Sequence, residues 1–323
     1  MKCINRLKKS RLLCVLCIAA LFVTGCGAQK VANAYDVYSN DYTLGSNTYT
    51  YFGSNLCVTN NVNYGTDQTH SDVAQGAGLF NIDTKEVLYS QNIFDKLYPA
   101  STTKILTAYI IIRYGNLDDM VTVSANAANQ DESSSVCGIN EGDVTSVRNL
   151  LYGLLLCSGN DAAVALAEYY SGSVEAFADV MNAEALKMGA TNSHFVNPSG
   201  FPDENHYTTV YDMYLIFSNA ISLETFQQII STQTIDVSYT NAAGNTIDKT
   251  YNNTNQYLTG ASEAPEGINV IGGKTGTTYD AGYCLVLLST NAKGERLISI
   301  VFKADGKSNL YLLMNDILSS FGN

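Results

Sequence analysis

The sequence predicts an α+β fold in which an antiparallel sheet, built from strands near both ends of the chain, carries a helical middle region. Segments rich in β-branched and aromatic residues occur near residues 77–89 and again over 234–302. Between them the apolar residues follow helical spacing. Strands at the two ends of one domain usually pair with each other, because pairing covers their edges. A chain of 323 residues with 46% hydrophobic residues can bury the core that such a domain needs.

The N-terminus has the three parts of a secretory signal. Residues 1–11 are basic, residues 12–23 are apolar, and small residues precede Cys26. The run VTGC at residues 23–26 resembles the lipobox of bacterial lipoproteins, which implies a signal peptide over residues 1–25 and a lipid on Cys26. An ordinary signal peptide cut nearby and an uncleaved anchor are the alternatives. In each case the rest of the chain lies outside the cytoplasm.

The chain is acidic, with 30 acidic against 18 basic residues and a formal charge of −12. The first 25 residues contain basic residues but no acidic ones, so the exported part is more acidic still. This charge argues against binding to nucleic acid. It also argues against attraction of the protein surface to anionic lipid. We therefore expect no nucleic-acid partner.

Residues 26–72 are rich in Asn, Ser, Thr, Tyr, Gly and Asp, and they contain neither a helix signal nor a long apolar run. This composition predicts a flexible tether between the lipid and the folded domain. The tyrosines of this segment could instead contact wall polymer or pack on the domain. The folded domain itself is expected over residues 73–323.

The elements of the domain are predicted in chain order. A hairpin is expected from Ala77–Ile82 and Glu86–Tyr89, joined by a turn at 83–85. The next helix runs from Thr102 to Tyr114, where Gly115 stops it. Further helices are predicted at 147–157, 162–170, 174–188, 210–220 and 223–230. The chain closes with strands at 234–239, 269–278, 282–290 and 296–302 and with a helix at 309–321.

Ser101 and Lys104 carry the chemistry that we expect from this domain. Pro99 and Ala100 form a turn, so that Ser101 lies in the first helical turn, at the positive end of the helix dipole. Lys104 follows three residues later and projects on the same face. A lysine in a poorly solvated site has a lowered pKa and can accept a proton. The pattern predicts a serine nucleophile with a lysine base, although Ser-x-x-Lys alone occurs often by chance.

Two later motifs offer groups that could reach the same pocket. The run SGN at 158–160 breaks a buried helix and presents a hydroxyl and an amide on a turn. The run KTGT at 274–277 lies in a glycine-rich strand, which another chain can approach closely. Its lysine supplies a positive charge, its threonines supply hydroxyls for a carboxylate, and strand N–H groups can form an oxyanion hole. Taken singly, the two runs could equally be an inter-helix turn and a glycine-softened edge strand.

The order Ser-x-x-Lys, Ser-x-Asn, Lys-Thr-Gly is similar to that of penicillin-recognising serine enzymes. From about Val73 onward the chain resembles the serine D-alanyl-D-alanine carboxypeptidases, the low-molecular-mass penicillin-binding proteins of the S11 peptidase group. The segments that carry this resemblance are YPASTTK at 98–104, LLYGLLLCSGNDA at 150–162, NPSG at 197–200, HYTT at 206–209 with DM at 212–213, and GGKTG at 272–276. In the second motif, Gly159 stands where many penicillin-recognising serine enzymes have Asp. The resemblance implies the serine β-lactamase/DD-peptidase-like fold.

The resemblance also implies a reaction, the removal of the terminal D-alanine from peptidoglycan stem peptides, with no cofactor and no metal ion. Ser101 would attack the carbonyl between the two D-alanines, while Lys104 takes its proton and Asn160 steadies Lys104. Ser158, with Lys274 beside it, would pass a proton to the leaving D-alanine. β-Lactams would acylate the same serine and act as inhibitors. The implied residues are Ser101, Lys104, Ser158, Asn160 and Lys274 for catalysis, Thr275, Gly276 and Thr277 for substrate binding, and the N–H groups of Ser101 and Thr277 for the oxyanion.

Two departures from the family pattern are expected. Many relatives carry a C-terminal β-domain and an amphipathic anchor helix, and the sequence after Lys274 is too short for either. The lipid at the N-terminus would then be the membrane anchor. Relatives also have an arginine beyond the Lys-Thr-Gly strand that helps to bind the substrate carboxylate. After Arg296 this sequence offers only Lys303 and Lys307.

Other activities stay open at this level. A class A β-lactamase shares the three motifs but needs a deacylating glutamate, where this chain has the carboxypeptidase-like NPSG run at 197–200. A DD-endopeptidase would cut cross-links on the same scaffold, and a non-catalytic wall-binding lipoprotein would release no peptide. A Ser-His-Asp site would have to use His70, His194 or His206. The exported part has no His-x-x-x-His or Cys-x-x-Cys spacing typical of zinc sites.

Four cysteines remain after the signal and the proposed lipid site: Cys57, Cys137, Cys157 and Cys284. They could form two disulfides, but the pairing cannot be deduced from sequence. The apolar surroundings of Cys157 and Cys284 favour buried thiols at both positions.

Overall fold

The computed structural model describes residues 52–323, in which nine strands form two antiparallel sheets. The strands are β1 (Ala74–Asn81), β2 (Glu86–Gln91), β3 (Met120–Thr122), β4 (Val144–Ser146), β5 (Thr234–Thr240), β6 (Thr246–Asn252), β7 (Asn269–Thr278), β8 (Gly282–Thr290) and β9 (Arg296–Ala304). The larger sheet has the order β2-β1-β9-β8-β7, and the smaller sheet has the order β3-β4-β5-β6.

The larger sheet joins the two ends of the described chain. Strand β1 pairs with β2 on one side and with β9 on the other, where Gly78 lies opposite Ile300. Because β1 has a neighbour on each side, all its backbone groups can enter ladders. The prediction of an α+β fold with a sheet made from both ends of the chain is therefore confirmed.

Helices cover both faces of this sheet. They are α1 (Lys104–Tyr114), α2 (Ala125–Ala128), α3 (Val147–Leu155), α4 (Asn160–Ser171), α5 (Val174–Lys187), α6 (Val210–Ala220), α7 (Glu224–Ile230), α8 (Gln256–Thr259) and α9 (Lys307–Phe321). Side chains alternate along a strand, so Leu287 packs under α9 while Val286 faces the helical middle region. Among residues 52–323 no helix has both the length and the apolar composition needed to cross a membrane.

The smaller sheet was not predicted as a separate unit. The strand expected at 234–239 does form, as β5, but it pairs with β6 and β4 instead of joining the terminal strands. Strands β3 and β4 have three residues each, and β6 is a polar edge strand. Such segments carry too few apolar residues for a period-2 pattern to stand out in the sequence.

The folded unit begins at Phe52 rather than at Val73, so the part of the predicted tether from 52 to 72 is corrected. The backbone N–H of Cys57 donates to the Tyr214 hydroxyl at 2.9 Å, and the buried Cys57 thiol donates to the Asn81 carbonyl at 3.3 Å. The N–H of Tyr64 donates to the Ser90 carbonyl at 2.7 Å. A few anchoring residues thus fix a segment whose average composition is that of a linker. The predicted signal peptide, Cys26 and the first half of the tether lie outside the described residues.

Candidate active site

Ser101 lies in a 3-10 turn, Ala100–Thr103, that leads directly into α1. The turn is held by the Thr102 hydroxyl, which donates to the Pro99 carbonyl at 2.7 Å. Ala100 has a φ of 47°, a left-handed conformation that costs energy in a residue with a side chain. Backbone strain of this kind is maintained only where surrounding contacts fix it, and it often occurs at functional sites.

The Lys104 amino group is buried and surrounded by oxygen atoms. Its Nζ lies 2.9 Å from the Ser101 Oγ, 2.7 Å from the Asn160 Oδ1 and 2.7 Å from the Ser199 carbonyl oxygen. The lysine has no exposed surface. Burial lowers the pKa of Lys104 well below its usual value, and the nearby charge of Lys274 lowers that pKa further. A neutral amine at hydrogen-bond distance from a serine hydroxyl can take the hydroxyl proton as the oxygen attacks.

Ser158 faces the nucleophile from the loop between α3 and α4. It has a φ of 61°, which turns the chain sharply at the end of α3. Its Oγ lies 3.0 Å from the Nζ of Lys274, which also donates to the Thr275 carbonyl at 2.8 Å. Burial lowers the pKa of Lys274 to about 7. This lysine can therefore change its charge near neutral pH, and the Ser158 hydroxyl is within reach of its proton.

Strand β7 forms the third wall and is an edge strand of the larger sheet. Gly276 lies against the nucleophile turn, and a Cβ at this position would stand 3.0 Å from the Ser101 nitrogen and 3.0 Å from the Pro99 carbonyl oxygen. The Thr275 Oγ1 lies 2.6 Å from the Thr254 Oγ1. Because β7 has β8 on only one side, its other edge can receive an extended peptide as an added strand.

A cleft of about 190 Å³ lies between these walls. The residues predicted from sequence that line it are Ser101, Ser158, Thr275, Gly276 and Thr277. Lys104, Asn160 and Lys274 reach it through the hydrogen bonds given above. The structure thus brings together every predicted site residue that it describes. Lys307, the first residue of α9, also lines the cleft.

The NPSG run supports the nucleophile turn from behind. The Asn197 Oδ1 accepts hydrogen bonds from the N–H groups of Ser199, Gly200 and Phe201 at 2.8–3.2 Å, which folds the run into a tight loop. Gly200 has a φ of 80°, and a Cβ there would collide with the Ala100 carbonyl oxygen. The sequence analysis assigned no role to Ser199, because its contact with Lys104 is made by the backbone carbonyl, and any residue type has one.

His206 supports the same turn from below. Its Nδ1 accepts a hydrogen bond from the Val196 N–H at 3.2 Å, so the proton of the neutral ring is on Nε2, which lies 2.8 Å from the Thr103 Oγ1. Burial lowers the pKa of His206 to about 4. The ring therefore stays neutral near pH 7 and donates to Thr103. This geometry gives His206 a supporting position, away from the hydroxyl of Ser101.

Comparison with known proteins agrees with this arrangement. The sequence profile of the S11 peptidases, described as D-alanyl-D-alanine carboxypeptidase, matches residues 64–306. The chain is 34% identical over 238 residues to the D-alanyl-D-alanine carboxypeptidase DacF of Bacillus subtilis, an alignment that covers 72% of this chain and 57% of that protein. It is 35% identical over 240 residues to a D-alanyl-D-alanine carboxypeptidase of Streptomyces strain K15, covering 71% of this chain and 80% of the relative. The chain spans a little over half the length of several curated relatives that it matches.

A solved structure supports the fold independently. The crystal structure of the Streptomyces K15 DD-transpeptidase superposes with a TM-score of 0.71 at 31% sequence identity. The superposition covers 76% of this chain and 96% of that structure.

Proposed function

The chain belongs to the S11 peptidase family of D-alanyl-D-alanine carboxypeptidases, and we propose from this premise that it removes the terminal D-alanine from peptidoglycan stem peptides by way of an acyl-enzyme on Ser101. The observation that carries the proposal is the buried Lys104 amine, which lies 2.9 Å from the Ser101 Oγ and has its pKa lowered by burial. A neutral amine in that position serves as the base that a serine nucleophile needs. Such chemistry requires no cofactor.

In the first half of the reaction, Ser101 attacks the carbonyl carbon between the two D-alanines. Lys104 accepts the hydroxyl proton. Its hydrogen bonds to Asn160 and Ser199 hold the Nζ atom next to the Ser101 Oγ. The backbone N–H groups of Ser101 and Thr277 are the donors for the oxyanion, because Gly276 allows β7 to approach the nucleophile turn closely. The tetrahedral intermediate then collapses to the acyl-enzyme and releases D-alanine.

The leaving amine needs a proton, and the pair Ser158 and Lys274 is placed to supply it. The Ser158 hydroxyl passes its proton to the departing nitrogen and is reprotonated from Lys274, 3.0 Å away. Water then attacks the acyl-enzyme carbonyl and gives a proton to Lys274 through Ser158, and Lys104 returns its proton to the Ser101 oxygen as the ester bond breaks. A β-lactam would acylate Ser101 in the same way, and its tethered leaving group would stay in the cleft and slow hydrolysis.

The terminal carboxylate of the substrate would bind at the end of the cleft formed by Thr275, Thr277 and Lys307. Two hydroxyls and one ammonium group are a suitable set for an anion, with charge-assisted hydrogen bonds. Lys307 thus provides the positive charge that the arginine supplies in relatives. Lysine binds a carboxylate as a point charge and lacks the forked geometry of arginine, so we expect weaker orientation of the carboxylate.

The decisive experiment measures D-alanine release from a diacylated Lys-D-Ala-D-Ala peptide by the wild type and by Ser101→Ala. We expect release by the wild type only, and labelling of the wild type only by a fluorescent penicillin. An amine acceptor in parallel reactions measures transfer, the activity named for the K15 structure, and a cross-linked dimeric muropeptide measures endopeptidase activity. Penicillin labelling of Ser101→Ala would refute the nucleophile, and rapid turnover of benzylpenicillin would indicate a β-lactamase.

We place the enzyme on the outer face of the bacterial cytoplasmic membrane, held there by a lipid on Cys26. The support is the basic, apolar and VTGC sequence of residues 1–26. Cells fed with a clickable fatty acid should label the wild type and leave Cys26→Ala unlabelled. Release of the Cys26→Ala protein into the medium with its penicillin labelling intact would separate the anchor from the catalytic domain, and equal lipid labelling of both proteins would contradict the site.

A further inference from the structure

Cys137 and Cys157 are neighbours beside the second motif. The Cys137 sulfur fills the space between Gly153 and Gly159, where a Cβ on either glycine would collide with it. The two thiols interact, and each shifts the pKa of the other. Cys57 and Cys284 lie elsewhere in the described part of the chain, each buried and donating to a backbone carbonyl of its own surroundings. Among the described cysteines, Cys137 and Cys157 are the two that the structure brings together.

The Cys137 sulfur also limits which residue can stand at position 159. A side chain at 159 would occupy the position of the Cys137 sulfur. Cys157 was expected to be a buried apolar thiol, but it is only partly buried, and the nearby backbone N–H of Asn252, at the end of β6, helps to lower its pKa. The sequence around the second motif is therefore adapted to hold two sulfur atoms.

The segment 134–139 that carries Cys137 supports the catalytic amide. The Asn160 Nδ2 donates to the Ser134 hydroxyl at 3.0 Å, and the Asn160 N–H donates to the Ser135 carbonyl at 2.8 Å. The Asp161 carboxylate accepts from the N–H groups of Cys137, Gly138 and Ile139 at 2.8–3.2 Å. Asn160 in turn contacts the Lys104 amine at 2.7 Å. Anything that fastens this segment therefore also fixes the position of the base.

We propose that Cys137 and Cys157 form a disulfide in the exported protein, and that this bond fastens the segment 134–139 to the second motif and keeps Asn160 in place. The proposal rests on the proposed function for its location, because disulfides persist outside the cytoplasm. Both thiols are free in this structure, which corresponds to the reduced form. The bond would close a loop over residues 137–157 that contains β4 and α3, with Ser134 and Ser135 just before the loop and the second motif directly after it.

The oxidation proceeds by thiol–disulfide exchange with a disulfide of a thiol oxidoreductase or a small molecule. The Cys157 thiolate attacks one sulfur of that disulfide, forms a mixed disulfide and releases the other sulfur as a thiol. Cys137 then loses its proton and attacks the Cys157 sulfur, which releases the second thiol of the oxidant. Two protein thiols become one disulfide, and the oxidant gains the two electrons and two protons.

The environments of the two thiols match this order of events. Cys157 is partly exposed, and the interaction with Cys137 lowers its pKa, so it is the thiol that an external disulfide can reach first. The same interaction, together with burial, raises the pKa of Cys137. Cys137 is thus suited to the second, intramolecular step, for which proximity compensates for a weaker tendency to ionise.

The test is a disulfide map of the full chain exported from its host and trapped with N-ethylmaleimide before denaturation. Trypsin cleaves at Arg148, so Cys137 and Cys157 fall on separate peptides, 114–148 and 149–187, that contain no other cysteine. We expect these peptides to be linked before reduction and separate after it. Alkylation of both cysteines by the trapping reagent, with no linked peptide even after treatment with oxidised glutathione, would overturn the proposal.

A second measurement tests the positioning effect. Wild type should lose roughly tenfold in its rate of acylation by a fluorescent penicillin when reduced with dithiothreitol, a loss typical of a small misplacement of a catalytic group. Its Tm should fall by roughly 5 °C or more. The Cys137→Ser, Cys157→Ser double variant should match the reduced wild type and should not respond to dithiothreitol. Cys57→Ser changes a cysteine outside the cleft, where a hydroxyl can still donate to the Asn81 carbonyl, and it should keep the wild-type response to dithiothreitol.

The disulfide and the proposed function can be refuted independently of each other. The disulfide map does not depend on activity, so a linked pair in a protein that releases no D-alanine would refute the proposed function and leave the disulfide standing. An active enzyme with free thiols would do the opposite. A linked pair whose reduction changes neither the acylation rate nor the Tm would remove the positioning role.

Discussion

The Nζ atom of Lys274 lies 3.0 Å from the Oγ atom of Ser158, although the two residues belong to different layers, a sheet edge and a loop between helices. Burial brings the pKa of Lys274 to about 7. The charge on the third motif is therefore sensitive to pH near neutrality.

The first prediction follows from that pKa. Lys274 is positive below about pH 7 and neutral above it, so kcat/KM for a peptide with a free carboxylate should fall as pH rises through about 7. A pH profile of kcat/KM reports the free enzyme. Lys274→Arg keeps its charge, and its alkaline decline should disappear or move to much higher pH. Identical profiles for the two proteins would contradict this assignment.

The second prediction concerns Lys104. Lys104→Met keeps the length of the side chain and removes the base, so penicillin acylation should fall by roughly 10²–10⁴-fold, the usual contribution of a general base. Stopped-flow or gel measurement of acylation gives the rate, and circular dichroism shows whether the variant is folded. Wild-type acylation by folded Lys104→Met would mean that another group takes the serine proton.

The third prediction compares two glycines with the same backbone conformation. Gly200 and Gly244 have φ values of 80° and 82°, but a Cβ at 200 would collide with the Ala100 carbonyl oxygen while a Cβ at 244 meets nothing. Gly200→Ala should lower the free energy of unfolding by about 3 kcal/mol or more, and Gly244→Ala by only about 1 kcal/mol. Urea unfolding measures both. Equal losses would show that the loop behind Ser101 moves freely.

Acylation of the folded Gly200→Ala protein gives a second comparison. The clash lies one residue before the nucleophile, so we expect slower acylation than in Gly244→Ala at a temperature where both proteins are folded. Equal acylation rates would show that the loop at Gly200 does not affect the position of Ser101.

The fourth prediction tests the cation in the cleft. Lys307→Ala should raise KM for the D-alanyl-D-alanine peptide roughly tenfold, as expected for one lost hydrogen bond to a charged group, with a smaller effect on kcat. Lys293→Ala removes the same charge from an exposed hairpin turn and should leave KM unchanged. If both variants raise KM equally, the effect comes from long-range electrostatics, and Lys307 does not bind the substrate carboxylate directly.

The fifth prediction concerns stability in acid. His206 has a pKa of about 4 in the folded protein against 6.5 for a free imidazole. Between pH 6.5 and 4 the unfolded chain binds a proton that the folded chain does not, so stability falls as pH falls, by up to about 3 kcal/mol. His206→Gln should lose less over this window, measured by urea unfolding at several pH values.

An exposed histidine provides the control for that experiment. His70 pairs with Asp316, which raises the pKa of His70, so its replacement should not flatten the acid loss of stability. Carboxylates titrate in every variant. The contribution of His206 is therefore the difference between variants in how much stability is lost on acidification. An equal acid loss in wild type and His206→Gln would assign the effect to other groups.

The long elements and the three motifs could be predicted from sequence because each has a local signal. Helix α6 and strands β7 and β8 agree with their predicted bounds, since apolar periodicity and terminal glycines or caps mark them. Residues such as Ser134 and Ser199 could not be found in this way. They act through a short hydroxyl contact or a backbone carbonyl, and only the folded chain brings them to Asn160 and Lys104.

The order of strands in the larger sheet has a consequence for the timing of activity. Ser101 lies shortly after the first hairpin, whereas β7, which closes the cleft, pairs with β8, and β8 joins the rest of the sheet through β9, the last strand to be synthesised. Contacts between such distant parts of a chain form slowly, because a long loop must close first. In the proposed mechanism, a partly folded chain would therefore have the nucleophile Ser101 without the oxyanion donor on β7. Covalent labelling by penicillin should appear only after the C-terminal strands have docked. The time at which labelling appears therefore measures when folding outside the cell is complete.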